Sequence, residues 1–414
     1  MLILRFVYNL LIHLSWYILK GIALFQPKMK LFVSGRKSTF KQLRSSIPPD
    51  SKCIWMHVAS LGEFEQGLPI LEQLRHQYPD HKLVLSFFSP SGYEVKKNTS
   101  AADVVVYLPM DTRSNASQFV DLVNPAMAIF IKYEIWPNYL RQLQQRKVPT
   151  LLVSAIFSKR QVFFKPYGSF MRNSLHSFSH FFVQDESSKT LLESIGFTNS
   201  TVSGDTRFDR VHEILKRDNH LDFMEQFKGS QPCLVAGSTW PEDEKILADY
   251  INSSNNGMKF VLAPHKIKQD HITQLSESIS KKTLCYSNMG NQDLLDFDVL
   301  IIDTIGLLTK IYSYAQMAYV GGGFATGLHN TLEPAVYGIP VVIGPNYKGF
   351  KEAEDLVALK GIIPTSKANE LKSVLDNFIE NPDVLEETGK INSTYIAQNV
   401  GATPLIMEHI DQIL

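Results

Sequence analysis

Four loops in this 414-residue chain gather acids, hydroxyls, aromatics and glycines at spacings that suit sugar and phosphate chemistry. Ser60-Leu61-Gly62-Glu63 stands after an apolar run at 54–58 and opens a helix-period segment at 64–77. A carboxylate there meets the positive end of the helix dipole, which favours its ionised form and makes Glu63 a candidate general base. The plainer reading is an acid that only complements the dipole. Lys132-Tyr133-Glu134-Ile135-Trp136-Pro137-Asn138 follows a run at 127–131 and crowds a base, an acid and two aromatics, a composition that can hold a sugar. The same residues also fit a helix start, with Pro137 in the first turn and Trp136 in the core.

The other two loops suit a nucleotide. Gly321-Gly322-Gly323 follows a run at 317–320, where glycines let backbone approach a phosphate, and a helix starting within 330–333 offers N–H groups to an anion. In the structural alternative Asn330 caps that helix and Glu333, three residues on, closes a capping box. Gly237-Ser238-Thr239 places hydroxyls before Trp240, Pro241 and the acids Glu242, Asp243 and Glu244, although Ser238 or Thr239 also serves as a helix cap. Asp296-Phe297-Asp298 has the spacing of a metal-binding acid pair but sits just before a strand, where a turn is the better reading.

These loops need strands behind them. Apolar runs at 54–58, 83–88, 104–108, 127–131, 150–154 and 181–184 alternate with helical segments such as 64–77 and 136–146, which is βαβ repetition and hence a parallel sheet. After the polar stretch 212–231 the pattern restarts at 233–236, 259–263, 299–302, 317–320 and 340–343. Two Rossmann-like domains follow, whose ligands gather at the carboxyl ends of strands. The expected divisions are a basic helical segment at 1–49, domains at 50–211 and 231–414, a linker at 212–230, and a last helix able to pack back on the first domain.

The first 49 residues carry eight basic side chains (Arg5, Lys20, Lys28, Lys30, Arg36, Lys37, Lys41 and Arg44) and no acid, in a chain of 41 basic and 41 acidic residues. Residues 2–25 read as a helix with Arg5, Asn9, His13 and Lys20 recurring at roughly helical spacing. The uncharged run 6–19 is shorter than the roughly 20 residues a span needs, so an interfacial helix followed by a basic patch fits best. Cys53, Cys233 and Cys285 are far apart and fit neither a disulfide framework nor a zinc site. Overall charge neutrality argues against a general nucleic-acid binder.

In order along residues 50–350, the Ser-x-Gly-Glu loop, Glu134-Ile135-Trp136-Pro137-Asn138, Gly237-Ser238-Thr239, Asp303-Thr304-Ile305-Gly306, Gly321-Gly322-Gly323 and His329-Asn330-Thr331-Leu332-Glu333-Pro334 resemble the motifs of the 3-deoxy-D-manno-octulosonic acid (Kdo) transferases. The resemblance implies an α/β GT-B glycosyltransferase: two Rossmann-like domains with a cleft between them and an N-terminal membrane-associated helix. It implies inverting transfer of Kdo from CMP-Kdo to a lipid A precursor at the cytoplasmic face of the inner membrane. Glu63 would be the base, with acceptor contacts from Ser60, Gly62, Lys132 and Glu134. Donor contacts would come from Ser238, Thr239, His265, Lys266, Gly321, Gly322, Gly323, Asn330 and Glu333. CMP-Kdo is a substrate, so no cofactor is expected, and its single phosphate requires no metal.

Three departures stand out: Pro264-His265-Lys266 where the family has Pro-Arg-His, Leu307 where an acid is usual, and Ser154-Ala155-Ile156 for Asn-Ala-Arg. A basic run of Lys159, Arg160, Lys165 and Arg172 would compensate on the acceptor side, or form a solvated face. The competing expectations are a GT-B enzyme using a UDP-sugar, such as a non-hydrolysing epimerase, and a non-catalytic lipid A-binding protein.

Overall fold

The computed structural model describes residues 2–325 and 327–414. Among them, seven strands form one parallel sheet: β1 (Cys53–Val58), β2 (Lys82–Phe87), β3 (Val104–Tyr107), β4 (Pro125–Ile131), β5 (Thr150–Ala155), β6 (His180–Val183) and β7 (Ser200–Val202). Seven more form a second: β8 (Cys233–Thr239), β9 (Lys259–Pro264), β10 (Thr283–Cys285), β11 (Val299–Ile301), β12 (Met317–Val320), β13 (Val341–Ile343) and β14 (Ile362–Pro364). The orders are β3-β2-β1-β4-β5-β6-β7 and β10-β11-β9-β8-β12-β13-β14.

Each sheet belongs to its own compact unit. One runs to Arg210 and takes in Val400–Leu414; the other is Val211–Asn399. Residues 213–228, read in sequence as part of a linker, contain the turn Glu213–Lys216 and the helix Asp222–Lys228 of the second unit.

Alternation along the strands builds a core on both faces of the first sheet. Ile54, Met56 and Val58 point to the side occupied by Phe64, Ile70 and Leu71 of the helix Leu61–Gln77. Trp55 points the other way, against Phe119, Tyr139 and Leu140. The helix Ala402–Asp411 adds Ile406, Met407 and Ile410 to the first face. Its start is fixed by Asp209, whose carboxylate accepts from the N–H groups of Gly401 and Thr403 at 2.6 and 2.8 Å.

At the N-terminal end lie the helices Leu2–Ile22, Pro27–Gly35 and Thr39–Ser46. Ile12, Trp16 and Leu19 pack against Phe32, Val33 and Met110, while Ile3, Phe6, Leu10, Leu14 and Tyr17 remain exposed. No helix among the described residues is long and apolar enough to cross a membrane. The even basic surface expected of residues 1–49 needs one correction. Arg36 is buried, donates to the carbonyls of Leu108, Phe32 and Phe88 at 2.9, 2.7 and 2.6 Å, and stacks on the Phe32 ring. Desolvation lowers its pKa to about 9, and its charge is directed inward.

Candidate functional site

Strand order turns back on itself at β1 and β4 in the first sheet and at β8 and β12 in the second. Ligands of open parallel sheets bind outside the carboxyl ends of strands at such points. Three of the four segments singled out in sequence follow β1, β4 and β12, and the fourth, Gly237-Ser238-Thr239, is the carboxyl end of β8 itself.

At the first junction Glu63 occupies the first turn of the helix Leu61–Gln77 and is 6% exposed. Ser60 caps the helix, its hydroxyl accepting from the Glu63 N–H at 3.5 Å, and Glu63 Oε2 accepts from the Ala59 N–H at 2.5 Å. The dipole argument anticipates an easily ionised acid, and here the structure differs. Burial and then the charge of Glu134 push the Glu63 carboxyl up to about 7, outweighing the opposing pull of Ala59, Lys132 and Ser60. Such a carboxyl is poised to exchange a proton near neutrality. A Cβ at Gly62 would meet nothing within 4 Å, so open space lies beside the acid.

Glu134 comes from the loop after β4 and is held by Trp136, whose indole N–H lies 2.9 Å from Glu134 Oε2 and 3.0 Å from His57 Nε2. His57 Nε2 also lies 3.4 Å from Glu134 Oε2, and its Nδ1 faces the Ser86 carbonyl at 3.1 Å. His57 escaped the sequence reading because it sits inside an apolar strand. Its signal is the alternation that puts it on the Trp55 face, toward Trp136. Lys132, with φ at 67°, adopts the left-handed region that costs a non-glycine residue about 1 kcal/mol or more. Its ammonium lies 5.3 Å from the Tyr133 ring centre.

The second junction is organised around Asp243, another residue the sequence reading passed over. Its fully buried carboxylate accepts from the Trp240 and Gly322 N–H groups at 2.9 Å each and from the Tyr319 hydroxyl at 2.7 Å. The Gly322 N–H is thereby taken up within the protein. The Gly321 N–H donates to the Gly237 carbonyl at 2.9 Å, and a Cβ on Gly321 would lie 2.4 Å from the Ser238 oxygen. A Cβ on Gly323 would lie 2.7 Å from the Gly344 Cα. They are glycines because two backbones pass in contact.

Ser238 also adopts a left-handed φ, 54°, and is half-buried. The Thr239 hydroxyl is buried and donates to Glu244 at 2.9 Å, and the residue lines the pocket beside Trp240. Trp240 stacks on His265 with ring centres 4.9 Å apart and donates its indole N–H to His329 Nε2 at 2.9 Å. Lys266 Nζ lies 4.5 Å from the Trp240 ring centre. Desolvation and the neighbouring Lys266 charge hold His265 below its ordinary pKa; His329 is lowered by burial and by His265. A pocket of about 480 Å³ opens beside this stack, lined by Trp240, Glu242, His265, Lys266, His271 and Gln274.

The expected capping box at Asn330 is not formed. Thr331 is the cap residue; Asn330 accepts from the Leu332 N–H and donates to Glu333 Oε1, both at 3.1 Å. Glu333 is half-buried, with Thr309 Oγ1 at 3.5 Å from its other oxygen. On the acceptor side Lys159 and Arg160 are exposed on the turn after β5, whereas Arg172 donates to the carbonyls of Phe163 and Lys165 at 2.7 and 3.0 Å and acts as a loop clamp. Asp303 accepts from the Ser287 N–H at 2.9 Å. Asp296 pairs with Lys282 at 3.1 Å, and no group of three His, Cys, Asp or Glu among the described residues is placed to hold a metal ion.

Known proteins extend this picture. The chain is 25% identical over 372 residues to the 3-deoxy-D-manno-octulosonic acid transferase of Chlamydophila psittaci, covering 86% of this chain and 84% of that one. It is 26% identical to the protein of the same description from Haemophilus influenzae, covering 88% and 87%. UDP-GlcNAc 2-epimerase from Neisseria meningitidis, bound to UDP-GlcNAc, matches with a TM-score of 0.62 at 16% identity over 87% of this chain and all of that one, a likeness of fold, which is α/β and GT-B-like. Residues 34–210 match the family model described as 3-deoxy-D-manno-octulosonic-acid transferase (kdotransferase). With that match in its first unit and relatives running along most of its length, the chain is similar to the Kdo transferases.

Proposed function

We propose that this protein is an inverting glycosyltransferase that moves Kdo from CMP-Kdo to a lipid A precursor in lipopolysaccharide synthesis. The observation that carries the reading is a buried carboxyl tuned to about 7, Glu63, at the sheet junction of a chain similar to the Kdo transferases. In its ionised form Glu63 takes the proton of an acceptor hydroxyl as that oxygen attacks the anomeric carbon of Kdo. The bond from that carbon to the CMP phosphate breaks, CMP leaves with the electron pair, and one direct displacement inverts the centre. Lys132, Glu134, Ser60 and the space at Gly62 serve the acceptor sugar. His265 and Lys266 meet the leaving phosphate, and Glu333 the ribose, with Asp243 fixing the glycine loop behind them. No cofactor or metal takes part in this reading.

The exposed apolar side of the helix Leu2–Ile22, with Lys20, Lys28, Lys30, Lys37, Lys41 and Arg44 exposed nearby in sequence, supports an interfacial position at the cytoplasmic face of the inner membrane, where such an acceptor is presented.

The direct test incubates the purified full chain with CMP-Kdo and a tetraacyl bisphosphorylated lipid A precursor, with and without EDTA, and weighs the lipid by mass spectrometry. A mass gain of one or more Kdo residues, unaffected by chelation, is expected. No gain with CMP-Kdo, together with epimerisation of UDP-GlcNAc, would replace the reading by the epimerase alternative.

A further inference from the structure

Three arginines from separate helices meet at one pocket of the first unit. Arg5 comes from the helix Leu2–Ile22, Arg113 from the first turn of Arg113–Val123 and Arg141 from Pro137–Gln145. Together with Phe6, Asn9 and His13 they line a cavity of about 550 Å³. Among the described residues none of the three guanidinium groups has a hydrogen bond or a carboxylate partner. Arg5 is held below its ordinary pKa by partial burial and by the charges of Arg141 and Arg113. The nearby carboxylate in sequence, Asp111, is buried and already accepts from the Tyr8 hydroxyl at 2.7 Å and from the Asn138 and Tyr139 N–H groups at 3.1 Å each.

Like charges gathered without a partner repel one another, and an anion among them removes that cost. The planar fork of arginine matches phosphate oxygens in pairs, which suits a phosphate better than a simple halide. The pocket's position narrows the source. On a helical wheel the exposed Ile3, Val7, Leu10, Leu14 and Ile18 lie opposite the packed Ile12, with Phe6 and His13 on the flank between the two faces. An interfacial helix sinks its apolar face about 5–10 Å into the boundary between headgroups and acyl chains, which sets its flank at the level of the lipid phosphates.

We infer that Arg5, Arg113 and Arg141 form a site for the phosphate group of an anionic lipid, adding a specific grip to the apolar and basic attachment. The inference rests on the membrane-surface reading above, but not on the transferase reaction.

The experiment measures sedimentation of the full chain with vesicles of phosphatidylglycerol in phosphatidylcholine, with pure phosphatidylcholine vesicles, and with competing inorganic phosphate at the concentration of the vesicle phosphate. Arg113→Lys with Arg141→Lys keeps the charge and loses the fork; Arg217→Lys, exposed in the second unit and outside both the pocket and the basic N-terminal segment, is the control. Binding to the anionic vesicles should fall about five- to tenfold in the double variant, stay unchanged in the control, and resist inorganic phosphate. Equal binding by parent and double variant, with parental melting, would overturn the site and leave the membrane reading standing. Parental binding to neither vesicle would overturn the membrane reading and the site with it. Displacement by inorganic phosphate at equal concentration would make the ligand a free phosphate and overturn the lipid assignment.

Discussion

At the junction of β1 and β4 two carboxylates, Glu63 and Glu134, share a buried loop region, whereas at the junction of β8 and β12 one carboxylate, Asp243, is surrounded by three donors. The topology is the same and the electrostatics are opposite. In the first unit, burial and a like charge leave an acid uneasy in its ionised form, the condition for trading protons near neutral pH. In the second, a satisfied acid and three glycines make a rigid backbone platform, the condition for holding a ligand in one place. A parallel sheet supplies only the location; the polar partners supplied to the buried acids decide what each location does.

Glu63→Gln should break the contrast most severely. Turnover is expected to fall about 10²–10⁴-fold, measured with saturating donor and acceptor, while CMP affinity holds. Stability adds a signed check. Because the folded pKa is raised from 4.5 to about 7, the Glu63 contribution is fully present below pH 4.5 and is lost as pH rises through about 7. The melting temperature of Glu63→Gln relative to the parent should therefore rise between pH 5 and pH 8. More than a tenth of parental turnover would transfer the base role to Glu134.

Next in size is the donor side. Glu333→Ala should weaken CMP and CMP-Kdo together by about 1.5–3 kcal/mol in calorimetry, the usual range for a hydrogen bond to a charged group. Lower melting with unchanged donor affinity would reduce Glu333 to a partner of Asn330 and Thr309. Asp243→Asn should cost about 1–3 kcal/mol of stability, since an amide cannot accept from all three donors and brings its own N–H groups among them. A denaturant midpoint equal to the parent's would show the glycine loop to be fixed without it.

The smallest effect sharpens the comparison rather than breaking it. Glu134→Gln keeps an acceptor for the Trp136 indole and removes the second charge. Repulsion no longer raises the Glu63 pKa, so the acid limb of the kcat/KM profile should move below its parental position near 7. A limb that stays in place would leave burial alone in control of Glu63.

The sequence made the central strands and their loops legible because long apolar runs ending in Gly, Ser or acid are what buried parallel strands require. The three strands it missed, β7, β10 and β14, are three-residue edge strands, too short to show a period. Glu63 and Glu134 could be found because they stand at loop boundaries. His57 and Asp243 could not, since one lies within an apolar strand and the other among helix-start acids that look interchangeable, and only tertiary donors distinguish them. The same limit explains Arg36: a basic residue in a basic segment gives no sign that three carbonyls await it.

The capping of Ala402–Asp411 by Asp209 has a consequence for how this chain is made. Residues that complete the core of the first unit, Ile406, Met407 and Ile410, leave the ribosome only after all of Val211–Asn399 has been synthesised. Until then the helix Leu61–Gln77 waits with an apolar flank uncovered, while the second unit has all its sequence and is free to fold. Assembly of the first unit thus ends last although it begins first, and its unfinished state is the stage at which a nascent chain most needs protection from aggregation.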